Sequence, residues 1–193
     1  MDKQYLILNN YNLLCDEESD INEHLPTLKK YANECSHVTE MGVRSGVSTW
    51  AFLASTCDKL ICYDILNCNN IKEMFEDDDR YIFIQSDVLD IDILPTDLLF
   101  IDTLHTYLQL SSELEKHSRS VEKYIILHDT VSFGNHDEHV YGHASELIKD
   151  KISNEKGLNM AIENFLKKDD GLNWILYEHH TNNNGLTILK RSH

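Results

Sequence analysis

The segment TEMGVRSGVSTW, residues 39–50, joins a short apolar run to a helical pattern and carries two of the seven glycines in the 193-residue chain. The run before it, 36–41, is rich in apolar and β-branched residues and predicts a buried strand. From Val47 onward, apolar residues recur every three or four positions, which predicts a helix. Gly42 and Gly46 therefore lie in a strand-to-helix turn, where a ligand can lie against the backbone.

The spacing of these glycines does not fit the dinucleotide fingerprint G-x-G-x-x-G. Glu40, directly before the turn, would also repel a pyrophosphate, because that group needs helix amide donors and no neighbouring anion. A cationic or hydroxyl-rich ligand end suits this position better. The alternative interpretation is a plain turn in which Ser45 or Ser48 caps the helix.

Strand-like runs alternate with helical patterns along the whole chain. The runs cover 36–41, 59–64, 81–87, 97–102, 123–129, 173–180 and 185–191, and the helical patterns cover 21–35, 47–56, 70–78, 107–120, 144–152 and 157–168. Such alternation predicts an α/β fold with a single Rossmann-like, doubly wound sheet. We expect five parallel strands and a C-terminal antiparallel hairpin, with residues 1–35 as a helical segment packed on a domain of residues 36–193.

Composition narrows the class of partner. The chain has 17 Lys and Arg against 33 Asp and Glu, a net charge of −16, which disfavours nucleic acids and anionic membrane surfaces. Five cysteines without a C-x-x-C pair favour a reducing compartment. Neither a signal peptide nor a membrane-spanning run is indicated. We expect a cytoplasmic protein without a nucleic-acid or membrane partner, and the sequence leaves a homo-oligomer open.

Every predicted parallel strand ends at a polar or acidic residue. These residues are Glu40, Asp64, Asp87, Asp102 and the pair His128 and Asp129. One acidic strand end often means only a helix cap. Since the carboxyl ends of parallel strands share one edge of the sheet, five of them together predict a lined ligand cleft.

The order of these motifs resembles a class I S-adenosylmethionine-dependent methyltransferase. Within that superfamily it is most similar to the branch with cephalosporin-hydroxylase-like and macrolide or sugar O-methyltransferases. The matching motifs are EMGVRSGVST (40–49), CYD (62–64), QSD (85–87), LLFIDTLHTY (98–107), similar to D-G-D-H-[ST]-Y, and YIILHDT (124–130). The terminal helix and hairpin also match, so the resemblance covers most of the chain.

The resemblance implies S-adenosylmethionine as cofactor and methyl transfer to a hydroxyl of a sugar or other small molecule. Gly42, Gly46 and Glu40 would border its amino-acid and sulfonium end, Asp64 would hold the ribose, and Asp87 would lie near the adenine. The full set of implied cofactor residues is Glu40, Gly42, Arg44, Ser45, Gly46, Ser48, Thr49, Asp64, Ser86, Asp87 and Asp102.

Methyl transfer to a hydroxyl needs an aligned nucleophile and a way to remove its proton. We predict Asp102, His105 and His128 as catalytic residues, with His105 as the candidate base. Asp102, His128 and Asp129 could bind a divalent metal, Mg²⁺ or Mn²⁺, and the imidazole favours the latter. The alternatives are a helix cap for Asp102 and a buried structural imidazole for His128.

The chain departs from D-G-D-H at Thr103 and Leu104, where a glycine and a carboxylate are missing. The run HDEH, 136–139, could replace the missing ligand, although a lid over the cleft is the favoured interpretation. The departure keeps a catalytically inactive cofactor-binding or interaction subunit as the alternative function. A nicotinamide-dependent reductase or epimerase is less favoured, because the glycine fingerprint is missing and Tyr141 is followed by Ser145 where that class has a lysine.

Overall fold

The computed structural model describes residues 3–75, 77–139, 156–168 and 172–192 and confirms the predicted α/β fold. Its seven-stranded sheet has the order β3-β2-β1-β4-β5-β7-β6. The strands are β1 His37–Met41, β2 Lys59–Asp64, β3 Tyr81–Gln85, β4 Thr96–Ile101, β5 Val121–His128, β6 Trp174–His180 and β7 Leu186–Arg191. β1 to β5 pair in parallel, and β7 lies antiparallel between β5 and β6. The five-plus-two arrangement is therefore as predicted.

The helices after residue 20 lie where the apolar periodicity predicted them, and one more helix lies within the helical segment predicted over 1–35. They are α1 Lys3–Asp16, α2 Leu25–Ala32, α3 Val47–Leu53, α4 Asn69–Phe75, α5 Tyr107–His117 and α6 Gly157–Leu166, with short 3₁₀ turns at Asn22–His24 and Ser118–Ser120. A proline in the first turn of α2 is tolerated because the amides there have no intrahelical acceptor. The helix predicted over 144–152 lies outside the described residues.

The core is divided by the sheet into two layers, as alternating side-chain direction requires. In β4, Leu98 and Phe100 pack toward the layer that contains α1 to α4. Leu99 and Ile101, on the opposite face, pack toward α5 and α6. Helices therefore cover both faces of the sheet, and a ligand can reach the strand ends only from the edges.

The segment that precedes α2 is tied to the hairpin loop between β6 and β7. The Asn183 side chain accepts from the Glu23 amide at 3.0 Å and donates to the Ser19 carbonyl at 2.7 Å. His24, which is buried, makes a 3.0 Å hydrogen bond to the Asn182 carbonyl. These contacts bring the N-terminal segment to the carboxyl edge of β5.

Within the described ranges, the helices are too short or too polar to cross a membrane. The five cysteines are free thiols.

Candidate active site

A cleft of about 320 Å³ opens at the carboxyl ends of β1 to β4. Of the eleven predicted cofactor residues, six line it: Gly42, Arg44, Asp64, Ser86, Asp87 and Asp102. The other five, Glu40, Ser45, Gly46, Ser48 and Thr49, do not contribute to the lining. The structure therefore has a cleft at the predicted edge of the sheet. Of the turn after β1, Gly42 and Arg44 line this cleft, and Ser45 and Gly46 do not.

Glu40 lies beneath the turn with its side chain fully buried. Its carboxylate accepts hydrogen bonds from Ser48 Oγ at 2.5 Å, Thr49 Oγ1 at 2.8 Å and Cys62 Sγ at 2.9 Å. Burial raises the pKa of Glu40 to about 7, although these three hydrogen bonds act in the opposite direction. Glu40 therefore joins β1 to the first turn of α3 and to β2, beside the cleft and out of its lining.

The two glycines of the turn make room for the protein's own atoms. Gly42 has a φ of 88°, and a Cβ there would lie 2.0 Å from the carbonyl oxygen of Asp102. Gly46 has a φ of 75°, and its Cβ would lie 3.0 Å from the side chain of Ile71. Gly42 thus lets the ends of β1 and β4 approach each other, which brings Asp102 to the cleft.

Asp64 fixes the same turn through backbone hydrogen bonds. Its Oδ2 accepts from the amides of Val43 at 2.8 Å and Arg44 at 3.0 Å, and its Oδ1 accepts from the Leu66 amide at 2.8 Å. Each carboxylate oxygen has more than one acceptor site, so Asp64 can still accept from a ligand in the cleft it lines. Arg44 turns its guanidinium toward Asp20, with an N–O distance of 2.7 Å.

At the other end of the cleft, four predicted side chains form one ionic cluster. His105 Nε2 lies 3.1 Å from Asp102 Oδ1 and 3.1 Å from Asp129 Oδ2. His128 Nδ1 lies 3.3 Å from the same Asp102 oxygen and 3.4 Å from the same Asp129 oxygen. Two imidazoles therefore share two carboxylate oxygens.

The cluster separates the pKa values of its acids and bases. For both His105 and His128, burial would lower the pKa, but hydrogen bonds to the carboxylates outweigh it and raise each pKa to about 10. Burial would raise the pKa of Asp102, but hydrogen bonds from the two histidines hold it well below its usual range. His105 therefore keeps its proton at neutral pH, and it can act as a base only when another cation takes over its carboxylate partners.

The predicted metal ligands Asp102, His128 and Asp129 converge, since their ligand atoms all lie within 4.8 Å of one another. His128 Nε2 lies 3.1 Å from the Asp20 carbonyl, which can only accept, so a neutral His128 presents its Nδ1 lone pair to the carboxylates. Asp129 Oδ1 is buried and has no hydrogen-bond partner within the described residues. One imidazole nitrogen and two carboxylates, one with an unused oxygen, fit a divalent cation.

Contacts around the altered D-G-D-H positions involve residues that the motifs did not predict. Thr103 Oγ1 donates to Glu113 of α5 at 2.7 Å, and Leu104 lines the cleft. Glu138, from the HDEH run, contacts His105 Nδ1 at 2.9 Å. A carboxylate from this run therefore contacts the cluster. Its contact is with His105, which is not one of the three predicted metal ligands. Whether the run also forms a lid stays a prediction, because the chain beyond residue 139 is not described up to residue 156.

The cleft also has an apolar wall that sequence reasoning missed. Ile65 and Leu66, directly after Asp64, line it together with Val88 and Leu104. Ile65 and Leu66 are 40% and 44% exposed, which is high for large apolar side chains that follow a buried strand. The sequence signal that could have predicted this wall is the position of Ile65 and Leu66 directly after Asp64, a predicted ligand-binding residue.

No protein-family model matches the chain, and no curated protein matches it in sequence. Solved structures match it in fold. The N-methyltransferase NodS from Bradyrhizobium japonicum WM9, in complex with S-adenosyl-L-homocysteine, matches with a TM-score of 0.64 and 11% identity over 100% of both chains. The S-adenosyl-L-homocysteine-bound methyltransferase PaMTH1 from Podospora anserina gives a TM-score of 0.59 and 12% identity over 100% of this chain and 89% of the other.

A protein from Klebsiella pneumoniae that is provisionally called an O-methyltransferase gives a TM-score of 0.63 and 16% identity over 100% of this chain and 91% of its own. At these identities the likeness establishes the class I methyltransferase fold. The narrower branch that the motifs suggested stays a prediction.

Proposed function

We propose that the chain is an S-adenosylmethionine-dependent O-methyltransferase that acts on a hydroxyl of a sugar or other small molecule. The observation that carries the proposal is the composition of the cleft, in which Asp64 and Asp87 line one end and the Asp102 cluster lies at the other. A nucleoside with two ribose hydroxyls and an exocyclic amine fits the first end. An acceptor hydroxyl that has to lose its proton fits the second.

Asp64 would hold the ribose, since its carboxylate is fixed by three backbone amides and faces the cleft. Asp87, whose Oδ1 accepts from the Leu89 amide at 2.9 Å, would lie near the adenine. When bound, the cofactor supplies an electrophilic methyl group on a sulfonium. The protein has to orient the acceptor oxygen in line with it and keep water away.

Asp102, His128 and Asp129 would hold a divalent cation such as Mn²⁺, which lowers the pKa of a coordinated hydroxyl. The same two carboxylates hold the proton of His105. A cation bound to them would weaken their hold on that proton, so His105 could then accept a proton from the acceptor hydroxyl. Metal binding and the base role of His105 are thereby coupled in this proposal.

The first experiment is calorimetry of the purified chain with S-adenosyl-L-homocysteine and, separately, with NAD. We expect binding of the first and none of the second, and the reverse result would overturn the proposal in favour of a nicotinamide enzyme. Transfer of a radiolabelled methyl group to a panel of sugar nucleotides, glycans and phenols then tests the reaction. Cofactor binding without transfer to any acceptor, with or without added metal, would point to the inactive binding subunit.

Asp129→Asn tests the metal directly. We expect it to abolish stimulation by Mn²⁺ and to lower transfer on the order of 100-fold, while affinity for S-adenosyl-L-homocysteine stays within a few-fold. Asp129 does not line the cleft, which is why cofactor binding should survive. Asp92→Asn is the matched control, because the Asp92 side chain is 93% exposed. Full activity of the wild type in a chelator would remove the metal from the mechanism.

A further inference from the structure

His105 is held by a carboxylate that the proposed function does not use. Glu138 Oε2 lies 2.9 Å from His105 Nδ1 and also accepts from the His105 amide at 3.2 Å. The Glu138 amide donates in return to the His105 carbonyl at 2.9 Å. These three contacts between the same two residues fix the imidazole relative to the backbone. Glu138 lines the cleft, and its side chain is 35% exposed.

The segment that carries Glu138 is itself anchored. The neighbouring Asp137 is buried, and its Oδ1 accepts from the amides of Tyr107 at 2.6 Å and Gly157 at 2.9 Å. Tyr107 is the first residue of α5, and Gly157 is the first residue of α6. Glu138 therefore approaches His105 from a loop that is bonded to two helices, and its position does not depend on the contact with His105 alone.

The orientation of the His105 ring follows from its neighbours. Nε2 lies 3.1 Å from one oxygen of Asp102 and 3.1 Å from one oxygen of Asp129, while Nδ1 faces Glu138. A ring turned over by half a rotation would place carbon atoms against these carboxylates, so the contacts assign the two nitrogens. The ring also stacks on Phe133, with centroids 5.0 Å apart and an angle of 4° between the planes. Stacking and ion pairs therefore hold a single orientation.

The two nitrogens of His105 face different partners. The hydrogen bond from His105 lowers the pKa of Glu138, so this carboxylate is ionised and can only accept, which keeps a proton on Nδ1. Nε2 faces Asp102 and Asp129, the carboxylates to which the proposed cation would bind. Of the two nitrogens, Nε2 is therefore the one that can take up a proton from the acceptor, while Nδ1 keeps its own.

We propose that Glu138 is the positioning residue of His105, which holds the Nδ1 proton and directs Nε2 to the acceptor hydroxyl. The proton passes from the acceptor oxygen to Nε2, and the electron pair of the O–H bond stays on the oxygen. This inference rests on the proposed function, in which His105 is the base. It also assigns a role to the HDEH run, because the residue directly before His105 is Leu104 and Glu138 supplies a carboxylate from elsewhere in the chain.

The test replaces Glu138 by two side chains of similar size. Glu138→Gln keeps an oxygen that accepts from Nδ1, and Glu138→Met keeps the volume without that acceptor. In Mn²⁺ we expect Glu138→Met to lower kcat about 100-fold, with the KM of the acceptor and the affinity for S-adenosyl-L-homocysteine within about 3-fold. Glu138→Gln should stay within about 10-fold of the wild type. Glu178→Met is the matched control and should keep full activity, because Glu178 contacts His180 at 3.1 Å with 31% of its side chain exposed.

A double-mutant cycle separates positioning from a purely structural role. If Glu138 acts through His105, Glu138→Met should lower kcat no further in a His105→Ala background. An equal loss in both backgrounds would overturn the proposal. A raised acceptor KM with an unchanged kcat would also overturn it, because Glu138 would then bind the acceptor.

NMR of the imidazole protons tests the orientation without catalysis. In the metal-free protein we expect a slowly exchanging Nδ1 proton on His105 in the wild type and in Glu138→Gln, and its loss in Glu138→Met. A wild type that shows this pattern but transfers no methyl group would support the positioning of His105 and contradict the proposed function. A signal that persists in Glu138→Met would overturn the inference at any activity. Should the methionine variant not fold, Glu138→Ala gives the same readouts.

Discussion

Two carboxylates at the same edge of the sheet lie in environments that shift their pKa values in opposite directions. Glu40 accepts from two hydroxyls and a thiol, all neutral, and burial raises its pKa to about 7. Asp102 is half-buried beside two imidazoles, and hydrogen bonds from them hold its pKa well below the usual range. Hydrogen bonds from neutral donors do not offset the free-energy cost of removing an ionised carboxylate from water, whereas ion pairs with imidazolium groups do.

The difference separates a structural acid from a chemical one. Glu40 joins β1, β2 and α3 and lies outside the cleft lining, while Asp102 lines the cleft. A ligand that enters the cleft can therefore contact the Asp102 carboxylate. It cannot contact the Glu40 carboxylate, which lies beneath the turn after β1. Three substitutions test this contrast, each measured by urea unfolding.

Asp102→Ala should have the largest effect. It removes a carboxylate shared by His105 and His128, and breaking such a buried pair costs about 3–5 kcal/mol. We expect this loss in full at about pH 6, in a chelator, because both histidines keep their protons below the ordinary histidine pKa of 6.5. Asp92→Ala, at an exposed ion pair with Lys116, is the control and should cost less than about 1 kcal/mol. Equal costs for the two variants would contradict the idea of a buried ionic cluster.

Gly42→Ala should have the second-largest effect on stability, because it disturbs the contact between the end of β1 and the end of β4. Its Cβ would lie 2.0 Å from the Asp102 carbonyl, on a backbone with positive φ, so the ends of β1 and β4 have to separate. We expect a loss of about 3 kcal/mol in the free energy of unfolding, and a change in the histidine NMR resonances of the cluster.

Gly46→Ala is the matched control for that substitution. It also has positive φ, but its Cβ meets only the side chain of Ile71, at 3.0 Å, which can shift. The expected loss is about 1 kcal/mol, with the histidine resonances unchanged. If both alanines cost the same, the close approach of Gly42 to Asp102 has no special role.

The sequence predicted the strands, the parallel direction of the first five and the polar residues at their carboxyl ends, because each strand is an apolar run that ends in a polar residue. It could not tell which acid faces the cleft. Glu40 lies inside β1, where the pleat directs it, like Val38, to the layer of α3. Asp102 and Asp129 follow the last residues of β4 and β5, where the pleat no longer fixes the direction of a side chain. In the register of the sheet Glu40 pairs with Phe100, so Asp102 lies two residues beyond the matching position, outside the strand.

The motifs also could not predict which residues contact the ionic cluster. Glu138 contacts His105 across 33 residues of chain, and Asp20 contacts His128 across 108. Gln109 and Glu113 are polar positions of an amphipathic helix, and only the approach of α5 to Thr103 buries them. Contacts at such sequence separations depend on tertiary packing, which local patterns do not encode.

Glu40→Gln should have the smallest effect, and its sign depends on pH. The pKa of Glu40 rises from 4.5 in the unfolded chain to about 7 in the folded protein, so its stabilising contribution is complete below pH 4.5 and is lost as the pH rises through 7. Glutamine has no carboxyl group that titrates in this pH range. We therefore expect the wild type to lose about 1–3 kcal/mol relative to Glu40→Gln between about pH 5 and pH 8.

The control for removing one negative charge is Glu115→Gln on α5, where the glutamate side chain is 74% exposed. A constant difference between the wild type and Glu40→Gln across this pH range would mean that Glu40 is ionised when buried. Neutral donors would then suffice to keep a buried carboxylate charged, and the two acids of this edge would differ only in whether a ligand can reach them. If the stability of the wild type instead falls relative to Glu40→Gln as the pH rises, Glu40 is neutral when buried, and the negative charge that a ligand meets in the cleft is that of Asp102, where the proposed chemistry needs it.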